Sequence, residues 1–214
     1  DQIIDLVDAS NGQLPADICS LLGEGAAAMS LAQEITTSAH ADIALKDAEL
    51  LAPIQNPSKI VAIGLNYMDH CREQGHKPPD IPTVFTKFST AIIGPDATIR
   101  WDPGLTQQVD YEAELAVVIG RVTRQVSAAD ALDYVAGYTV CNDISARDLQ
   151  FGDGQWVRGK SLDTFCPLGP WLVTKDEIPD AQNLSIRSSV NGQILQDSNT
   201  REMIFDVAEL IEFC

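Results

Sequence analysis

Hydrophobic and polar positions along this chain fall into short runs, most of them strand-length. The leading segment carries a short strand signal from Ile3 to Val7, then an Ala/Leu-rich helical stretch around Cys19 to Ile35. A polar tract, "TTSAHADIALKDAELLAPIQNP", follows. Pro53 and Pro57 punctuate it, and His40 within it is expected on the surface. From Lys59 the pattern changes. "KIVAIGLNY" reads as an apolar strand, "MDHCREQG" as a short helix stopped by Gly75, and "GHKPPDIP" as a Pro-rich loop. "TVFTKFSTAIIG", "VDYEAELAVVIG", "GYTVCNDIS" and "FCPLGPWLVT" read as strands, and "SAADALDYVA" as a helix. "LSIRSSVNGQILQDS" reads as a hairpin turning at Asn191-Gly192. Many short strands and few long helices predict an α+β, β-rich fold. The predicted organisation is a small N-terminal segment over residues 1–57 and a catalytic-type domain over residues 58–214.

Composition narrows the function. The chain has 214 residues, 45% of them hydrophobic, which suffices for one full core with a small appendage. Its formal net charge is −17, so nucleic acid and anionic membrane surfaces are disfavoured as partners. No apolar run approaches the roughly 20 residues of a spanning helix. Five cysteines, an odd number with no CxxC pair, suggest free thiols in a reducing compartment, and a cytoplasmic location is expected. The chain opens without Met and closes inside the amphipathic "DVAELIEFC", so a further C-terminal portion is expected.

Four groups of residues carry candidate chemistry. Glu112 and Glu114 lie two apart on one strand face, which they share with Ala116 and Val118. They suit either a solvated edge strand or a half-buried site that some cation must balance. Asp143 ends the strand "YTVCND", either as the N-cap of a following helix or as a third carboxylate beside the first two. Three carboxylates suit Mg²⁺ or Mn²⁺, with Ca²⁺ a further option, and the lack of a His/Cys cluster argues against zinc. His70 and Glu73 are i and i+3 on a helix, a pair suited to a general base or to an ordinary surface contact. Lys87 in "FTKF" and Lys160 in "VRGKSLD" sit in apolar surroundings, where each needs an acid partner or an anionic ligand.

"KIVAIGLNYMDHCRE", "VDYEAELAVVIG", "YTVCNDISARDLQ", "GKSLDTFCPLGPWLV" and "VNGQILQDSNTREMIF", taken in order, resemble the fumarylacetoacetate hydrolase superfamily. They are most similar to the branch containing its domain-containing protein 2 and bacterial homoprotocatechuate-pathway isomerases or hydrolases. The resemblance implies a mixed β-roll domain, a homodimer, and a divalent cation held by Glu112, Glu114 and Asp143. It implies catalytic roles for His70, Glu73 and Lys160, and a pocket lined by Lys87, Arg147 and Gln150.

The substrate so implied is a small 2-oxo acid bearing a second carbonyl. The expected reaction is metal-dependent hydrolysis of a C–C bond, as in an acylpyruvate or fumarylpyruvate, with His70 and Glu73 activating water. The same site could instead tautomerise or decarboxylate oxaloacetate, or isomerise a 2-hydroxymuconate-type acid, since each reaction needs a stabilised enolate. The alternative to an enzyme is a cation-binding dimeric scaffold.

Overall fold

The computed structural model describes residues 2–38, 41 and 43–214; His40 lies outside the described residues. The N-terminal part opens on β1 (Gln2–Ile3), α1 (Leu6–Ala9), α2 (Ile18–Gly23) and α3 (Ala26–Ser38). It closes with β2 (Ile43–Ala44), antiparallel to β1. Capping residues set the element bounds here. The strand expected to reach Val7 stops at Ile3, because the Asp5 carboxylate accepts from the Val7 and Asp8 amides and starts a helix. The helical stretch expected around Cys19 to Ile35 forms as two helices, parted at Gly25, whose φ of +80° ends α2. Leu14, Leu21, Ala28, Ala32 and Ile35 form a separate buried cluster within this part.

The remainder begins with β3 (Val61–Gly64), α4 (Met68–Gln74), β4 (Thr83–Thr86) and β5 (Ile92–Ile93). Next come β6 (Val109–Asp110), β7 (Ala113–Ile119), α5 (Ala128–Ala131), β8 (Val135–Asn142) and β9 (Ser145–Ala146). Then follow α6 (Arg147–Gly152), α7 (Val157–Lys160) and β10 (Cys166–Thr174). The last elements are β11 (Ser185–Val190), β12 (Gln193–Asn199) and α8 (Val207–Phe213). The fold is α+β and β-rich, as expected.

A four-stranded sheet in the order β5-β10-β8-β7 organises this region. One core cluster gathers Ala91, Ile144, Ala146, Phe165 and Cys166. A second gathers Val135, Tyr138, Ala181 and Val207, with Leu115 and Val117 packed against it. Phe165 is fully buried, which stabilises the fold by roughly 1.5–3 kcal/mol. The β11–β12 hairpin turns at Asn191 (φ +52°) and Gly192 (φ +78°), the two left-handed positions of a tight hairpin turn. Helix α4 ends where expected: Gly75 is left-handed, and the His76 amide donates to the Cys71 carbonyl.

Two features shape the site. The expected unbroken strand over Val109–Gly120 is interrupted at Tyr111–Glu112, because β6 pairs with β9 while β7 pairs with β8. The Gly-rich stretch between the strands "GYTVCNDIS" and "FCPLGPWLVT" carries no strand signal and folds into α6 and α7, which places Lys160 at a helix end. Gly159 permits that packing: a Cβ there would sit 2.6 Å from the Gln150 amide nitrogen.

Candidate active site

Asp143 sits at the centre. Its amide donates to the Glu112 carbonyl (2.8 Å), fastening the end of β8 to the turn before β7. Its carboxylate accepts from Lys87 Nζ at 2.6 Å on one oxygen and from Lys160 Nζ at 2.7 Å on the other. The side chains of both lysines are 2% exposed and that of Asp143 is 8% exposed, so all three charges are removed from water together. Asp143 is therefore not the helix cap that local sequence allowed; α6 starts at Arg147 behind Ala146, with no side-chain cap.

Glu112 extends the network. Its carboxylate accepts from Lys160 Nζ at 2.8 Å and from Arg147 Nη2 at 2.6 Å. Arg147 also donates to Asp110 through Nε and Nη2, and to the buried Gln150 through Nη1. Lys160 Nζ lies 5.1 Å from the centroid of the Phe85 ring, a cation–π arrangement in a desolvated setting. The structure thus brings Glu112, Asp143, Lys87, Lys160, Arg147 and Gln150 into one connected cluster. Lys87 and Arg147, expected to line the pocket, have their donors directed at Asp143, Asp110 and Glu112.

Glu114 belongs to the same neighbourhood but has no hydrogen-bond or ion-pair partner among the described residues. Its carboxyl is pushed up to about 8, first by burial and then by the negative charges of Glu112 and Asp143, with Lys160 pulling it back. Strand β7 is an edge of the sheet, but the bland expectation of solvated edge carboxylates does not hold. The β11–β12 hairpin covers that edge. The Gln196 side chain accepts from the Ala113 amide (2.9 Å) and donates to its carbonyl (2.8 Å), completing the ladder between the two glutamates.

His70 and Glu73 stand apart. Their Nδ1–Oε2 separation is 3.7 Å, with side chains 42% and 79% exposed, and neither bonds to the acid–lysine cluster. Helix α4 is tied instead to the β12 region. Asp69 accepts from Ser198 Oγ, and Arg72 pairs with Glu202 at 2.7 Å.

The donor set fits a hard divalent cation in chemistry and charge. Four carboxylates (Asp110, Glu112, Glu114, Asp143) meet three cationic side chains (Lys87, Arg147, Lys160), and Glu114 is the acid left unbalanced. Each carboxylate oxygen can accept more than one partner, so the lysine contacts do not exhaust Glu112 or Asp143. As the side chains stand, no three His, Cys, Asp or Glu among the described residues enclose an ion.

Asp110, Gln196 and Asn142, which accepts from the Glu112 amide at 3.2 Å, were not singled out from the sequence. Only Asp110 left a signal there: it stands two residues before Glu112 in "VDYEAE".

The description "Fumarylacetoacetate (FAA) hydrolase C-terminal" belongs to the family model that matches residues 59–214. A mitochondrial oxaloacetate tautomerase of Xenopus laevis is 47% identical over 211 residues, covering 98% of this chain and 66% of that protein. The chain spans about two thirds of the length of the curated relatives it matches. Among solved structures, a 2-hydroxyhepta-2,4-diene-1,7-dioate isomerase from Mycobacterium marinum superposes with a TM-score of 0.72 at 44% identity. That match covers 82% of this chain and 64% of the other. A fumarylacetoacetate hydrolase from Exiguobacterium antarcticum gives a TM-score of 0.76 at 34% identity, covering 93% and 69%. The Xenopus relative's mitochondrial name differs from the cytoplasmic expectation for this chain. Among the described residues no helix is long and apolar enough to cross a membrane.

Proposed function

The chain belongs to the fumarylacetoacetate hydrolase family, and we propose that its site tautomerises a small 2-oxo dicarboxylic acid of the oxaloacetate type. This replaces C–C hydrolysis, the first expectation, with what stood as its alternative. One observation carries the reading. Lys160 is buried between Glu112 and Asp143, a fixed cation suited to an enolate oxygen, whereas the His70–Glu73 pair that hydrolysis would use to activate water is exposed and unconnected to it. The names of the tautomerase and isomerase relatives support the same choice.

In this reading Glu112, Glu114 and Asp143 hold a Mg²⁺ or Mn²⁺ ion, which when bound supplies Lewis-acid polarisation of the 2-oxo group. Lys160 Nζ is held in place by two carboxylates and meets negative charge as it develops on the enolate oxygen, with no reorganisation of the site. Lys87 holds Asp143 in position from its other side, and Arg147 with Asp110 and Gln150 fixes the orientation of Glu112. The Phe85 ring faces the ammonium, a cation–π contact that favours the charged form. Moving a proton between oxygen and carbon needs no nucleophilic water, so the water-activating role expected of His70 and Glu73 falls away.

The test uses the full-length protein with Mg²⁺, following the loss of enol absorbance from oxaloacetate beside the cleavage of an acylpyruvate. Tautomerisation is expected to dominate. His70→Ala should leave it within about tenfold, while any residual hydrolysis falls about 10²–10⁴-fold, the span for a lost general base. Acylpyruvate cleavage as the main activity, lost with His70, would restore the hydrolase reading.

The cation is tested separately. Glu114→Ala should abolish Mg²⁺ and Mn²⁺ binding by calorimetry, because the acid without a cationic partner is removed and the two remaining carboxylates hold a hard ion poorly. Wild-type activity should disappear in EDTA and return with Mg²⁺. Wild-type affinity in the Glu114→Ala variant would remove this residue from the ligand set.

A further inference from the structure

Tyr67 lies between β3 and α4, in the non-helical N-cap position of the helix, and its backbone bridges to Met203. Its Oη is buried and has no hydrogen-bond partner among the described residues. A buried hydroxyl left unpaired lowers stability, so its retention calls for a compensating use. Strand β12 brings this hydroxyl's segment and Glu114 together. Gln196 holds the Ala113 backbone beside Glu114, and Ser198, two residues on and on the same face, holds Asp69 next to the Tyr67 turn. Residues two apart on a strand are spaced by about 7 Å. The negative charges of Glu114 and Asp69 act on the Tyr67 phenol, and a phenol carries its proton throughout the neutral range, so the hydroxyl is a donor there. Glu114 is the site acid with no hydrogen-bond or ion-pair partner among the described residues.

We propose that Tyr67 is a positioning residue for the cation site: its hydroxyl donates to the Glu114 carboxylate when that carboxylate turns to ligate the cation. The inference rests on the cation site of the proposed function, not on the reaction assigned to it. A hydrogen bond from behind a ligating carboxylate fixes its orientation, and losing such a bond typically costs about 10–100-fold in metal affinity.

Tyr67→Phe in the full-length protein keeps the ring and removes only the hydroxyl. Titration with Mn²⁺ alone, followed by electron paramagnetic resonance, should show affinity about 10–100-fold weaker than wild type. The thermal midpoint in EDTA should be unchanged or raised, because an unpaired buried group has gone. Independently, Mg²⁺ added to the wild type should produce a tyrosine difference signal in the near ultraviolet that the variant lacks. Unchanged Mn²⁺ affinity, a lowered midpoint in EDTA, no tyrosine signal, or no Mn²⁺ binding by the wild type would each overturn the proposal. None of these readouts requires turnover, so a failure to tautomerise oxaloacetate would count against the proposed reaction and leave this inference standing.

Discussion

Lys160→Met is expected to lower the turnover of 2-oxo acid tautomerisation by about 10²–10³-fold, the loss typical of one preorganised donor to a developing oxyanion. Methionine keeps much of the aliphatic length while the charge, and with it the cation–π contact to Phe85, is lost. The ammonium it replaces bonds Glu112 at 2.8 Å and Asp143 at 2.7 Å. Removing it leaves those two carboxylates short of a cation, and breaking a buried pair costs about 3–5 kcal/mol. A divalent cation can supply part of the missing charge. The variant should therefore unfold early in EDTA, recover much of its stability in Mg²⁺, and bind Mn²⁺ at least as tightly as wild type. Loss of activity with metal binding retained separates a catalytic lysine from a structural one. A folded, metal-saturated variant within about tenfold of wild-type turnover would sink the assignment.

Asp143→Asn should be strongly destabilising. The carboxylate accepts from two lysines that are each 2% exposed, and an amide can offer its oxygen to only one of them. Lys160 keeps Glu112, but Lys87 is left with the Ile144 carbonyl and a neutral neighbour. The expected cost is about 3–5 kcal/mol, against a total stability of about 5–15 kcal/mol for an ordinary domain. At about 2–4 °C per kcal/mol for this chain length, the thermal midpoint should fall by about 6–20 °C. Thermal and urea unfolding of the full-length protein in EDTA measure it. The exposed Arg187–Asp197 pair is the control, since Asp197→Asn should scarcely move the midpoint. Equal shifts for the two variants would mean that the lysine–carboxylate cluster is solvated and not structural.

Features governed by neighbouring residues were readable without coordinates. Asn191-Gly192 announces a tight hairpin because both positions must be left-handed, and Gly75 ends α4 for the same steric reason. The alternation of Glu112 and Glu114 places them on one face by the period of a strand alone. The resemblance in five consecutive motifs then gathered acids and lysines whose spacing says nothing about proximity. Other features depend on partners distant in the chain. Lys87 and Asp143 are 56 positions apart, Ala113 and Gln196 are 83 apart, and Asp69 and Ser198 are 129 apart. No local rule reports such pairings. The break at Tyr111–Glu112 arises because β6 and β7 pair with different strands, and Lys160 reaches Glu112 because Gly159 lets α7 pack closely on α6. Local pattern could place a carboxylate or a lysine on a face, but not say what would meet it there. A buried charge is stable only with its counter-charge in reach, and chain packing decides which of the many acids and bases are brought that close.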